Sequence, residues 1–345
     1  IEQTAKIAGV YFLVTFIRTQ GNYSASYAVT GIVIGEVVSF IYSFIMLLIH
    51  LHSQDKYCGL SIKIPTAISL FFKESIPLTA NRFAITLLQG VEAILIPSAL
   101  LHYYKDSTLS LSAYGVFTGM TFPFIMFPAT VTNSLSVMLM PAVSNANSGL
   151  KKEYLSKLCE RSIRFCLLIG LFFGVTFYIF GNSIGVLIFH NKEAGIFLYR
   201  LSFLCPLIYL ATTQASALNG LGLATHNLML TILSTAIRLS FILTTISKIG
   251  IEGYIIGLFV SYLFLTYASL AKLKKLVTFE LKMMRDVIAP FIFFLITGVL
   301  TYLVYDLTAG KLNSILQLPI LLITLSLYGT VCFICFGIRL IGRPC

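Results

Sequence analysis

Residues 28–51 read AVTGIVIGEVVSFIYSFIMLLIHL and contain a single charged side chain, Glu36. A helix needs about 20 predominantly apolar residues to cross a hydrocarbon core about 30 Å thick, and this stretch is long enough. A membrane β-strand would instead alternate apolar and polar residues over about 10 positions, and the stretch lacks that alternation. It therefore predicts a transmembrane helix.

Hydrophobic runs of similar length recur along the whole chain. Of 345 residues, 57% are hydrophobic and 11% are charged, whereas soluble domains carry roughly 25% charged residues. This composition excludes a water-soluble surface and predicts an all-α polytopic membrane protein with about ten transmembrane helices. We place the spans at residues 5–20, 28–51, 76–100, 113–140, 163–180, 195–219, 226–247, 251–271, 287–305 and 317–338.

Basic residues are distributed unequally between the predicted loops. The chain has 24 Lys and Arg against 13 Asp and Glu, a net charge of +11. In a soluble protein this charge would suggest a nucleic-acid partner, but in a membrane protein Lys and Arg accumulate in cytoplasmic loops. With the N-terminus inside, both chain ends are predicted to be cytoplasmic, and no nucleic-acid partner is expected. The inside set is Lys6, Lys56, Lys63, Lys73, Lys151, Lys152, Lys157, Arg161, Arg164, Lys272, Lys274, Lys275, Lys282, Arg285, Arg339 and Arg343; the outside set is Arg18, Lys105, Lys192, Arg200, Lys248 and Lys311.

No sequence motif indicates catalysis. The chain has no phosphate-binding loop for ATP, no zinc-protease motif and no Cys/His cluster with metal-ligand spacing, so we predict no catalytic residue, metal or cofactor. A membrane-embedded glycan ligase or polymerase would need acids gathered near an outside loop. The outside acids are widely separated, which makes an enzyme the weaker alternative; they are Asp106, Glu193, Glu252 and Asp306.

Three polar residues share one face of the helix predicted at 76–100. Arg82, Gln89 and Glu92 fall within roughly 80° of each other on a helix that turns about 100° per residue. Ionisable groups at membrane depth are costly and often functional. The stripe is equally compatible with a functional surface and with a structural ion pair.

A second polar stripe lies on the span at 226–247. Thr231, Ser234, Arg238 and Thr245 are spaced by 3, 4 and 7 residues and so share one helix face. Arg238 lies near the middle of the span, where exposure to lipid would be costly. We expect it to face a water-filled cavity or to bind an anion.

Two further spans contain features that point to packing or function. In the span at 28–51, Glu36 is a candidate for ion coupling, and Gly31 and Gly35 form a small-xxx-small pattern that favours close helix packing. The span at 113–140 contains Pro123 and Pro128, which predict a bend that either lines a substrate path or serves packing.

Longer motifs resemble a known family. Residues 76–101, IPLTANRFAITLLQGVEAILIPSALL, are similar to the polysaccharide-biosynthesis and stage V sporulation protein B branch of the multidrug/oligosaccharidyl-lipid/polysaccharide (MOP, MATE-like) flippase superfamily. The most specific pieces are SLSVMLMPAVSN at 134–145, a helix ending in Pro and Ser before a basic loop, and LNGLG at 218–222, a turn between helices.

The resemblance implies an architecture. The family fold has fourteen helices, arranged as two six-helix lobes and two extra C-terminal helices, and our ten spans would correspond to the C-terminal part. Residues 1–51 would then be the last two helices of the first lobe, residues 67–275 the second lobe and residues 287–338 the extra pair.

The resemblance also implies a function. Family members move undecaprenyl-diphosphate-linked saccharides or peptidoglycan precursor across the bacterial inner membrane by alternating access, with the anionic head group passing through a cationic cavity. Membrane lipids and a lipid-linked precursor are the expected partners. The alternative is a drug or metabolite antiporter coupled to Na⁺ or H⁺. The candidate substrate-binding residues are Arg82, Gln89, Thr231, Ser234 and Arg238, and the ion-coupling candidates are Glu36 and Glu92.

Overall fold

The structure is a computed structural model that describes residues 2–16, 24–53, 64–149, 152–279, 281–309 and 314–337. Regular elements within these ranges are helical. Among the described residues, nine helical segments are long and apolar enough to cross a membrane, and each overlaps one of the predicted spans. The remaining predicted span, 5–20, extends beyond the described residues. The chain is therefore a multi-pass membrane protein, and it divides into two compact units, residues 1–71 and 72–345.

The first unit contains a closely packed helix pair, α1 (Glu2–Phe16) and α2 (Ser24–Ser53). A Cβ placed on Gly31 would overlap the side chain of Val10, and one placed on Gly9 would lie 3.4 Å from Ile34. The helices approach this closely because the facing positions lack side chains. The predicted packing role of the glycine pair in α2 is confirmed at Gly31.

The remaining helices follow in chain order. They are α3 (Ile64–Tyr104), α4 (Ser107–Val116), α5 (Phe122–Ser148), α6 (Lys152–Phe189), α7 (Lys192–Leu201), α8 (Cys205–Gly220), α9 (Ala224–Thr244), α10 (Ile246–Ile249), α11 (Ile251–Leu276), α12 (Ala289–Ala309) and α13 (Ser314–Cys332).

Several helices are longer than hydropathy predicts. α3 begins at Ile64 rather than near residue 76, and α6 begins at Lys152 rather than near residue 163. In α6 the helix continues through polar residues that hydropathy does not report, whereas in α3 the charged residues Lys73 and Glu74 separate the apolar residues 64–72 from the predicted span. α5 likewise continues past the predicted span end at residue 140, includes Pro141 and Ser144, and ends at Ser148 before the basic residues at 151–152. A π-helical turn, Phe117–Thr121, precedes Pro123 in the span predicted to bend.

The turn between α8 and α9 is built by the LNGLG motif. Gly222 has φ +77°, the left-handed region that glycine adopts without strain. The backbone N–H groups of Gly222 and Leu223 donate to the carbonyls of Asn219 and Leu218 at 3.0 and 2.9 Å, the hydrogen-bond pattern of a Schellman helix end. The turn predicted at 218–222 is confirmed.

The centre of the second unit is organised around α6. A Cβ on Gly185 would overlap the backbone of Gly195 on α7, and one on Gly170 would overlap Pro206 on α8. Beside these contacts, the buried hydroxyl of Tyr209 on α8 donates to the carbonyl of Ile125 on α5 at 2.8 Å. Close backbone approach and dispersion contacts hold helices together in lipid, where apolar side chains gain nothing by leaving solvent.

α12 and α13 pack on α6. Phe172 of α6 stacks on Tyr328 of α13 with 5.0 Å between ring centroids, and Phe294 of α12 is buried in the same cluster. The Nε of Arg164 donates to the buried carboxylate of Asp286 at 3.2 Å, which joins α6 to the start of the α12 segment. The last two helices therefore belong to the second compact unit, while the assignment of 1–51, 67–275 and 287–338 to family lobes stays a prediction.

Candidate functional site

The buried face of α3 places one carboxylate inside the second unit. Glu92, Ile96 and Leu100 are spaced by four residues and are 6%, 2% and 0% exposed, so they form a single packed row. Gln89 is exposed, and the side chain of Arg82 lies outside the described part of the chain. Gln89 and Glu92, which were expected on one polar stripe, thus differ in burial. They are about 60° apart around the helix axis, and the edge of the packed face lies between them.

Glu92 is paired with Arg238 of α9. The Nε of Arg238 donates to Oε1 of Glu92 at 2.5 Å, and the two side chains are 13% and 7% exposed. The bond joins residues 146 positions apart in the sequence. The structure therefore brings together the two charged residues that the sequence placed on separate stripes. Removal of one partner would leave the other charge buried and unpaired, which is strongly destabilising.

Tyrosines from two other helices lie near the pair. Tyr114 of α4 lies within electrostatic range of Glu92, and Tyr254 and Tyr262 of α11 lie within range of Arg238. Tyr254 is 8% exposed, and its ring contacts that of Phe117 edge to face at 5.3 Å. Aromatic side chains from α4 and α11 therefore lie near the charged pair.

The neighbouring polar residues of α9 take part in helix packing. The hydroxyl of Ser234 donates to the backbone carbonyl of Ser261 on α11 at 2.9 Å, and that of Thr231 donates to the carbonyl of Asn227 in its own helix at 2.9 Å. α11 approaches here through small residues: a Cβ on Gly257 would lie 2.7 Å from Cβ of Phe241. A role of Ser234 or Thr231 in substrate binding stays a prediction.

Glu36 lies in the first unit, in a different setting. Its Oε1 is 3.1 Å from Nζ of Lys6 on α1, and the Glu36 side chain is 63% exposed. An exposed pair of this kind contributes little to stability in water. An ion-coupling role for Glu36 also stays a prediction.

Two of the acids predicted to lie on the outer side have structural partners. Asp106 caps α4: the backbone N–H groups of Thr108 and Leu109 donate to its Oδ1 at 2.7 and 3.4 Å, and these bonds, that from Thr108 foremost, lower the pKa of the carboxyl. Glu252 pairs with Arg200. Within the described ranges, no group of three or more His, Cys, Asp or Glu is placed to hold a metal ion.

The fold matches that of a known transporter class. The solved structure titled "Lipid II flippase MurJ, inward closed conformation" superposes with a TM-score of 0.63 at 14% sequence identity, covering 99% of this chain and 67% of that chain. At this identity the likeness concerns the fold. The predicted all-α architecture and its resemblance to a flippase fold are confirmed.

Two curated relatives come from Bacillus subtilis (strain 168). Stage V sporulation protein B is 24% identical over 210 residues, which cover 60% of this chain and 40% of the relative. Sporulation protein YkvU is 26% identical over 251 residues, covering 68% of this chain and 56% of the relative. The alignments thus span about half the length of these relatives, and they confirm the resemblance stated from the sequence motifs. No family model matches the chain.

Sequence reasoning missed the pairing of Glu92 with Arg238 and the tyrosines around it. A pairing across 146 positions leaves no periodic signal in one sequence. The close contact of α9 with α11 did have a signal, because Gly253, Gly257 and Ser261 repeat a small residue every four positions.

Proposed function

We propose that this chain belongs to a flippase that moves an undecaprenyl-diphosphate-linked saccharide or peptidoglycan precursor across the bacterial inner membrane by alternating access. The observation that carries the proposal is the half-buried Arg238, which lies at mid-span on a fold like that of a lipid II flippase. Guanidinium groups bind phosphate oxygens through paired N–H donors, which suits a diphosphate head group.

The pairing of the carboxylates favours this proposal over a cation-coupled antiporter. An antiporter for cationic substrates needs an acid that is free to bind a cation, whereas Glu92 is engaged by Arg238 and Glu36 by Lys6. A transporter is also preferred to a glycan ligase, since Asp106 and Glu252 serve as a helix cap and an ion pair. We further propose that both chain ends face the cytoplasm.

The test uses the full-length protein in a strain that lacks its own lipid-precursor flippase. Arg238→Ala is expected to abolish complementation, and Arg238→Lys to retain part of it, because lysine keeps the charge but loses the planar fork. Both variants must reach the membrane in normal amounts.

A matched double variant separates anion binding from stability. Arg238→Ala leaves Glu92 buried without its partner, whereas Glu92→Gln/Arg238→Ala removes both charges. If the double variant reaches the membrane and still fails to complement, Arg238 acts on the substrate. Complementation by the double variant would show that Arg238 is structural and would overturn the proposed site.

A further inference from the structure

The guanidinium of Arg238 is only partly used by Glu92. Its Nε donates to Glu92, and within the described part of the chain Nη1 and Nη2 have no acceptor. A guanidinium has five N–H donors in a planar fork. The Arg238 side chain is also the more open of the two, at 13% against 7% exposed. Nη1 and Nη2 are therefore the donors that phosphate oxygens would meet first, and a head group that draws the guanidinium toward itself would take it from Glu92, whose charge Arg238 compensates.

The surroundings of the pair cannot support an unpaired carboxylate. The groups that face it from other helices are Tyr114 of α4 and Tyr254 and Tyr262 of α11, and phenols are neutral near pH 7. Among the described residues in range, Glu92 and Arg238 are thus the charged ones. A carboxylate that loses its cation in such a setting becomes neutral by taking up a proton.

We infer that Glu92 and an anionic phosphate head group compete for Arg238, and that arrival of the head group is accompanied by uptake of one proton at Glu92. This inference rests on the proposed function. Diphosphate oxygens would accept from Nη1 and Nη2 and displace Oε1 of Glu92; the carboxylate would bind H⁺ from water and stay buried as a carboxylic acid. When the head group leaves, the proton returns to water and the ion pair forms again.

Competition of this kind makes binding depend on pH in a defined direction. Because the bound form carries one more proton than the empty form, the affinity for a diphosphate rises as pH falls, by up to roughly tenfold per pH unit while Glu92 is ionised in the empty protein. Glu92→Gln should remove this pH dependence, and the variant should bind a diphosphate more tightly than wild type near pH 7.5. The amide keeps the shape of the side chain but has no charge with which to compete for Arg238.

The experiment is isothermal titration of the full-length protein in lipid nanodiscs with farnesyl diphosphate, using farnesol as the probe without an anion. Titration in two buffers of different ionisation enthalpy gives the number of protons taken up on binding. The probe itself can bind protons, so the measured quantity is the difference between wild type and Glu92→Gln, which we expect to be close to one proton. Glu36→Gln, the matched change at the other membrane carboxylate, should take up as many protons as wild type.

The outcomes separate the two proposals. If farnesyl diphosphate fails to bind wild type between about pH 5.5 and about pH 7.5, both the proposed anion site and the competition are overturned. If it binds with equal proton uptake in wild type and Glu92→Gln, the competition alone is overturned. If Glu92→Gln cannot be produced, the test uses Glu36→Gln, which lacks the other membrane carboxylate, and compares its infrared spectra with and without farnesyl diphosphate. The competition requires the C=O stretch of a new carboxylic acid to appear on binding. Its absence rejects the competition.

Discussion

The hydroxyl of Ser234 donates a hydrogen bond to the backbone carbonyl of Ser261, with 2.9 Å between the two oxygens. The bond is buried and joins α9 to α11, one turn from the Arg238–Glu92 pair. Ser234 therefore has a structural partner in this conformation. The contribution of the hydrogen bond to the free energy of unfolding can be measured separately from transport.

Ser234→Ala is expected to lower the free energy of unfolding in detergent by about 0.6 kcal/mol, the mean for interhelical hydrogen bonds in membranes. Complementation should be retained, because Arg238 keeps its position. Ser240→Ala is the control: its hydroxyl is exposed and bonds the carbonyl of Ile237 in its own helix, so stability should not change. Loss of complementation by Ser234→Ala at normal stability would support the predicted role of Ser234 in substrate binding.

Gly185→Ala tests the contact that organises the second unit. The added methyl group would overlap the backbone of Gly195, so α6 and α7 must separate, and overpacking of this kind costs about 1–3 kcal/mol. Gly90→Ala is the matched change, because a Cβ there meets nothing within 4 Å, and it should be neutral or stabilising by about 0.5–1 kcal/mol. Thermal unfolding in detergent measures both; equal effects would show that the contact carries no packing energy.

Features that depend on local composition or spacing were predictable from the sequence. They are the membrane class, the approximate spans, the turn at 218–222 and the packing at Gly31. The continuation of α6 back to Lys152 was not predictable, since KKEYLSKLCERSIR is an amphipathic basic stretch whose charges lower its hydropathy, and it was interpreted as a linker between spans. The depth of Arg238 in its span predicted that it would face water or an anionic group, and the structure places it beside a carboxylate. Its partner was not predictable, because the approach of α3 to α9 is a property of the folded chain.

Gln214 on α8 is fully buried, and neither its Nε2 nor its Oε1 has a hydrogen-bond partner among the residues that the structure describes. A buried polar group without a partner costs about 1–3 kcal/mol. Gln214→Leu, which has a similar size, is therefore expected to stabilise the protein by about that amount. Gln89→Leu serves as the control because Gln89 is exposed. If Gln214→Leu destabilises the intact protein, the amide has a partner there that compensates for its burial.

The orientation in the membrane can be tested with single cysteines at two exposed lysines. Lys105 lies between α3 and α4, and Lys274 lies in the last turn of α11. Because cytoplasmic loops are enriched in basic residues, Lys274→Cys should react only with reagents that reach the cytoplasm and Lys105→Cys only with a membrane-impermeant reagent added outside.

The single cysteines are introduced into a variant in which Cys58, Cys335 and Cys345 are replaced by serine. Cys159, Cys166, Cys205 and Cys332 are buried in the structure, and a buried thiol does not meet an aqueous reagent. The unlabelled background protein must stay unreactive from both sides. Reaction of Lys105→Cys and Lys274→Cys from the same side would contradict the predicted topology, because α3 and α11 would then have to end at the same face of the membrane.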